Sequence, residues 1–404
     1  MRLVGQARPE VVVLGSLCRN PVAGITWQGL HFLCGLQRLG FDAYYVEWHG
    51  HWVADPSRPW VSRDAPGVAI TDVMRRYGFE DRWICQSIDE DGEDIYGGLG
   101  VDGLSSLYAR AQAIINLSGA HVLDPAHMSC PRRVYLETDP GIPQIRLHSG
   151  DQKTTALVDG HTHHFTWAEN IHQADCRLPR THLRYGTSRQ PVVLDFWRES
   201  EESSGRRTFT TVARWRKHKA KRIEFAGEVY HWDKDREFRK YLDLPGRSGE
   251  EFELALAQVS PADRADLVSA GWGVVDAVAL SGAIDTYRTY IQSSRGEFTV
   301  AKDQYTALRT GWFADRSACY LAAGRPVVAQ DTGYSAHLPT GEGLFAFTCM
   351  DDVLAAVETI NRDYGRHARA ATELAREYFD SDRVLGDLLE AIGVEHSGAG
   401  STSL

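Results

Sequence analysis

The chain has 404 residues, 43% of them hydrophobic and 24% charged, with a formal net charge of −10. That length suits two domains of about 150–200 residues each, and the acidic balance argues against a protein that lives on nucleic acid. No apolar run of about 18 residues is present to span a membrane as a helix, and seven cysteines without a C-x-x-C pair fit free thiols in a reducing cytoplasm.

The apolar part of the N-terminal stretch is too short for a signal peptide, and Glu10 to Leu14 (EVVVL) reads as a first buried strand. A loop bounded by Gly15 and Gly24 leads into a helix over Ile25 to Leu39, with Leu30, Leu33, Leu36 and Leu39 at helical spacing. Gly40 ends it, and Phe41 to Glu47 is the next strand. This β-loop-α-β unit opens a Rossmann-like domain, but it lacks G-x-G-x-x-G, so a dinucleotide is not indicated.

Residues 49 to 100 are polar and weakly patterned, and the acidic run Asp89 to Asp94 does not have EF-hand spacing. Ala113 to Leu117 and Arg133 to Leu136 are further buried strands. The second opens into Glu137-Thr138-Asp139-Pro140-Gly141, which places two carboxylates, Glu137 and Asp139, where catalytic groups sit in such sheets. A turn initiated by Asp139 before Pro140 is the plainer reading. Four of the sixteen histidines lie between His161 and His172, but their spacing is neither H-E-x-x-H nor a Cys/His finger, so no metal site is expected there. Trp167, Glu169 and Asn170 offer an aromatic face with neighbouring hydrogen-bonding groups, suited to an acceptor pocket.

The polar run around RESEESSGRR marks a domain boundary, preceded by a short apolar strand VVLDFW. The second domain opens on the strand TFTTVA, followed by the basic segment Arg214 to Lys219. Strand Ile223 to Gly227, a helix near Asp233 to Tyr241 and a helix over Gly249 to Val259 follow. Further on, Arg316 to Ala323 is an amphipathic helix ended by Gly324 and Pro326. A buried strand, Pro326 to Ala329, then turns at Asp331-Thr332-Gly333. Helix, glycine, buried strand and turn form the repeating unit of a doubly wound α/β domain, which binds ligands outside the carboxyl ends of its strands.

Ala322-Ala323-Gly324-Arg325-Pro326-Val327-Val328 resembles the A-x-G-x-P-V-V segment of GT-B glycosyltransferases, mainly the retaining group that includes glycogen and sucrose synthases. In that group two glutamates precede the segment. The corresponding positions here are Gly311 and Cys319, while Phe313 keeps its place. Asp315, Arg316 and Ser317 are the nearest polar residues to replace them.

The resemblance implies a GT-B fold, with two Rossmann-like α/β domains facing across a cleft and C-terminal helices crossing back. It implies an N-terminal acceptor domain over 1–200, a nucleotide-sugar domain over 201–365, returning helices over 366–395 and a tail at 396–404. It also implies a donor site built from Gly24, Arg214, Lys217 or Lys219, Lys302, Asp315, Arg316, Ser317, Asp331, Thr332 and Gly333, with Glu297 or Asp315 as the acid facing the donor sugar. The expected activity is metal-independent transfer of a sugar from a UDP- or dTDP-linked donor to a small-molecule acceptor. No cofactor, nucleic acid or membrane span is expected, and a homodimer is compatible. An epimerase or sugar-phosphate synthase on the same scaffold, or a non-catalytic binding protein, are the alternatives.

Overall fold

The computed structural model describes residues 8–48, 66–89, 92–198, 207–216 and 222–395. The first lobe is built on β1 (Glu10–Leu14), β2 (Asp42–Glu47), β3 (Trp83–Asp89), β4 (Gly92–Tyr96), β5 (Ala113–Leu117), β6 (Arg133–Glu137), β7 (His163–Thr166) and β8 (Tyr185–Thr187). These form one sheet in the order β4-β3-β2-β1-β5-β6-β7-β8, parallel except for the β3–β4 edge pair. The second lobe carries β9 (Phe209–Arg214), a hairpin of β10 (Arg222–Phe225) and β11 (Glu228–His231), β12 (Phe252–Ala257), β13 (Gly273–Asp276), β14 (Gly296–Thr299), β15 (Val327–Gln330) and β16 (Leu344–Phe347). Its main sheet is parallel throughout, in the order β13-β12-β9-β14-β15-β16.

Both sheets switch direction of winding beside their first strand, β1 and β9, which is where open α/β sheets form ligand crevices. Strand residues such as Val11, Val12, Val13 and Leu14 are buried on both faces because helices cover both. In the second sheet Phe209, Phe252, Phe298 and Phe347 pack in ring contact with Trp272 and Tyr241.

The helices that position the site are α1 (Ala23–Arg38), α2 (Ile142–His148), α3 (Ile284–Ser293), α4 (Asp315–Ala322), α5 (Met350–Arg362), α6 (Tyr364–Tyr378) and α7 (Ser381–Ala391). The chain crosses between lobes twice, and the two crossings lie side by side: Val192 N–H donates to Phe379 O at 2.7 Å, and Ser381 N–H donates to Val192 O at 2.9 Å. Beyond this point α7 packs on α1, with Leu385 and Ser381 against Gly35, and Arg132 holds the Ile392 and Gly393 carbonyls at 2.9 Å each. The last helix, α7, therefore packs on the first lobe, whereas α6 stays against α4 of the second, so of the expected returning helices over 366–395 only the final one crosses back.

Two local expectations change. The segment GEEFELALAQV is not a helix. Phe252 to Ala257 is strand β12, because Phe252, Leu254 and Leu256 alternate into the aromatic core between β9 and β13. VVLDFW is a 3₁₀ turn at Leu194–Phe196 rather than a strand, its Val192 pairing only with Asp380 at the crossing.

Candidate functional site

Between the lobes, at the carboxyl ends of β9 and β12, lies a cavity of about 370 Å³. Five residues expected at a donor site line it: Gly24 from the start of α1, Arg214 from the end of β9, Lys302 from beyond β14, and Asp315 and Arg316 from the first turn of α4. The α1 end is tied across the cleft, since Ala23 N–H donates to Ser281 O at 2.9 Å and Trp27 Nε1–H to Ile284 O at 3.0 Å.

Arg316 is held rigidly. Its guanidinium donates to Glu297 Oε1 at 2.6 Å, to Val212 O at 2.6 Å and to Thr299 Oγ1 at 3.0 Å. Glu297 has no exposed surface, and Thr211 and Ser317 also donate to its carboxylate. Buried and so engaged, Glu297 orients Arg316 and does not itself face the cavity. A charge this deep is stable only when paired. Asp315 accepts from Arg316 N–H at 2.8 Å, and burial pushes its carboxyl up, against the pull of that hydrogen bond and the Arg316 charge. The cap position itself is Ala314.

Lys217 and Lys219 lie outside the described residues. Among the described residues the β10–β11 hairpin follows β9, and Trp232, Asp233 and Lys234 then line the cavity. Lys234 is buried, and its ammonium is pushed down to about 7, first by burial and then by the charges of Arg316 and Lys302, with Glu297 and Asp315 opposing. Sequence reading does not single out Lys234; the signal beside it is the hairpin, two short alternating runs around Ala226-Gly227, after which Trp232-Asp233-Lys234 leads into a helix that starts at Asp235.

Asp139 and Lys302 meet across the cleft. Lys302 Nζ lies 2.8 and 2.9 Å from the two Asp139 oxygens, 3.1 Å from Tyr305 Oη and 3.6 Å above the Trp232 ring centre. Glu137, two residues earlier, is buried beneath. It accepts from Gln144 Nε2–H and from Thr166 Oγ1–H, and burial pushes it up to about 8, helped by the charge of Asp139. It therefore carries a proton at neutral pH and supports the strand end from below.

Trp167, Glu169 and Asn170 do not line the 370 Å³ cavity. Trp167 is core, Glu169 pairs with Arg189 at 2.7 Å, and Asn170 is fully buried in the seam between lobes. Asn170 N–H donates to Thr310 O, its Nδ2–H to Arg309 O, and His337 Nε2 lies 2.6 Å from its Oδ1. A Cβ at Gly311 or Gly333, both at positive φ, would collide with Asn170. That accounts for glycine at two seam positions. The turn Asp331–Gly333 belongs to this seam too: Thr332 is buried, and Asp331 accepts from Gly333 N–H and Ser335 Oγ–H.

The clustered histidines are engaged by the fold: His161 lies 3.0 Å from Asn116 Nδ2 and 3.1 Å from Val158 O, and His164 lies 3.1 Å from the same carbonyl. Among the described residues the one group that could converge on a metal is Cys18, Glu47 and Cys85. There Glu47 accepts from Cys18 N–H and Arg19 N–H at 2.8 Å each and from Tyr45 Oη–H at 2.7 Å, and so anchors the loop that leads to Gly24.

No family model matches this sequence, and no curated protein matches it. Its fold does match solved structures. An alpha-glucosyltransferase in complex with UDP and a 13-mer DNA containing a central A:G mismatch superposes with a TM-score of 0.56 at 11% identity, over 96% of this chain and 100% of that one. AviGT4, a glycosyltransferase involved in avilamycin A biosynthesis, gives 0.52 at 13% identity over 95% and 97%. Anabaena HepE in complex with UDP and glucose gives 0.53 at 10% over 95% and 99%. The fold is thus GT-B, two Rossmann-like domains facing across a cleft. One expectation is corrected. The acidic net charge argues against nucleic acid and the family resemblance implies a small-molecule acceptor, yet several structures of this fold are complexes with DNA. Overall charge does not decide the partner of a protein whose cleft is locally basic. Among the described residues no helix is long and apolar enough to cross a membrane.

Proposed function

We propose that the protein is a glycosyltransferase that moves a hexosyl group from a nucleotide-sugar donor to an acceptor hydroxyl. The observation that carries this reading is the convergence of Arg214, Lys234, Lys302 and Arg316 on one cavity between two Rossmann-like lobes. A diphosphate leaving group gathers negative charge as the anomeric C–O bond breaks, and fixed cations in a site of low polarity stabilise that charge. The four side chains take this role in the proposal in place of a metal ion, so chelation with EDTA leaves transfer unchanged. The apolar end of the cavity, Ala257, Ala277 and Val278, receives the base, with UDP- or dTDP-linked donors favoured by the UDP complexes of the same fold.

Asp139 is a carboxylate of the first lobe that meets one of the cavity cations, Lys302, at 2.8 Å. As the acceptor oxygen bonds to the anomeric carbon, its proton passes to the Asp139 carboxylate, while the nucleoside diphosphate departs with the bonding electrons. A thermal-shift screen with UDP, GDP, ADP and dTDP tests the donor assignment. The matching nucleotide at about one hundred times its dissociation constant stabilises by about 2.7 kcal/mol. Release of nucleoside diphosphate from the matching sugar donor is then measured with sugar, small alcohol and DNA acceptors, including DNA containing an HMU base. No stabilisation by any nucleotide, or none of these acceptors raising release above hydrolysis, refutes the proposal.

A further inference from the structure

The cavity cations are not equivalent. Arg316 is fixed by Glu297, Val212 and Thr299 at 3.0 Å or less, all within its own lobe. Lys302 differs: it stands on the second lobe, but its carboxylate partner, Asp139, belongs to the first. Both are partly accessible, with 16% and 33% of their side chains exposed. Lys302 lines the cavity beside Arg214, Lys234 and Arg316, whereas Asp139 does not. The carboxylate thus reaches from outside the cavity to one cation of the group that the diphosphate would use.

We infer that Asp139 acts as an internal competitor for the donor diphosphate, and that donor binding exchanges Lys302 from Asp139 to the phosphates. The inference rests on the proposed donor site. A carboxylate that accepts two hydrogen bonds from an ammonium is poorly placed to take a proton from an acceptor. Once Lys302 turns to the phosphates, the carboxylate is released to face the acceptor hydroxyl. The same exchange loosens one bond between the lobes at the moment the nucleotide supplies new ones. Trp232, 3.6 Å below the ammonium, remains a platform on which Nζ can swing while its stem stays packed.

The test is a double-mutant cycle on the full chain, with Asp139→Asn, Lys302→Met and the pair, read by calorimetric titration of UDP and of inorganic pyrophosphate, a probe that carries no base. Melting curves establish that each variant is folded, and Asp139→Ala serves if the Asn variant is not. The expected result is that Asp139→Asn binds both ligands about five-fold or more tighter, and that this gain disappears in the Lys302→Met background. Wild type binding with Asp139→Asn equal or weaker overturns the inference alone. An equal gain in both backgrounds also overturns it, since the carboxylate would then act by through-space repulsion rather than through Lys302. If neither ligand binds wild type, the proposed donor site falls and the inference falls with it.

Discussion

Lys234 offers the sharpest check on the donor site, because its role in the fold and its role in binding pull in opposite directions. The side chain is buried and its ammonium is pushed down to about 7. In the unfolded chain it ionises near 10.5, so between about pH 7 and 10.5 the unfolded state holds the extra proton and this group makes stability rise with pH. Below pH 7 the folded protein must bury the charge, at a cost on the order of a few kcal/mol. Lys234→Met keeps the length and the apolar stem while removing the charge. It should therefore raise the melting temperature, most of all below pH 7, with the advantage over wild type shrinking toward pH 10.

Binding should move the other way. A diphosphate beside Lys234 is a charge-assisted partner worth about 1.5–3 kcal/mol, so the variant loses about ten- to a hundred-fold in affinity near pH 7. The wild-type advantage should fade as pH rises from 7 to 9. Above pH 7 the phosphate's own ionisation, near about 6, is already complete and does not obscure the trend. Calorimetry in HEPES and in Tris should show proton uptake when wild type binds UDP, and none for the variant. Equal affinities with the fold intact, or a wild-type affinity that does not respond to pH between 7 and 9, would place Lys234 outside the phosphate site.

Other consequences follow from the same arrangement. Glu297→Ala leaves Arg316 buried without its carboxylate and should cost about 3–5 kcal/mol, read by urea denaturation; a loss under 1 kcal/mol would mean that Arg316 is anchored by Val212 and Thr299 alone. Glu137 is held up near 8 from an unfolded value near 4.5, so its stabilising contribution is full below pH 4.5 and fades as pH rises through 8. Glu137→Gln should remove a decline of about 1.4 kcal/mol per pH unit across that window; denaturation curves for both proteins that fall in parallel would contradict a proton on Glu137. Asp315→Asn keeps the hydrogen bond from Arg316 N–H. If the carboxylate also holds the nucleotide ribose, UDP affinity should fall about ten-fold or more, and an unchanged dissociation constant with an intact melting curve would assign Asp315 to the fold.

The local pattern carried much of the architecture. Period-2 and period-3.6 runs are properties of neighbouring residues, so EVVVL, the α1 helix and the helix-Gly-strand unit at 315–330 could be read directly, and with them the alternation that builds parallel sheets. The five cavity residues came from the family resemblance rather than from local pattern, and they meet because loops at strand ends in a doubly wound sheet share one rim. Short strands were harder: the alternation in Phe252–Ala257 is also compatible with a helix until β9 and β13 flank it. What the chain could not disclose locally was pairing across the cleft. Asp139 meets Lys302 and Asn170 fills the hollow made by Gly311 and Gly333, and each contact joins residues more than a hundred positions apart. Nor did spacing single out Lys234, which reaches the cavity only after the β10–β11 hairpin. A buried lysine with a lowered ionisation is made by lost water and by the charges of Arg316 and Lys302, residues distant in sequence that meet it only in the folded second lobe.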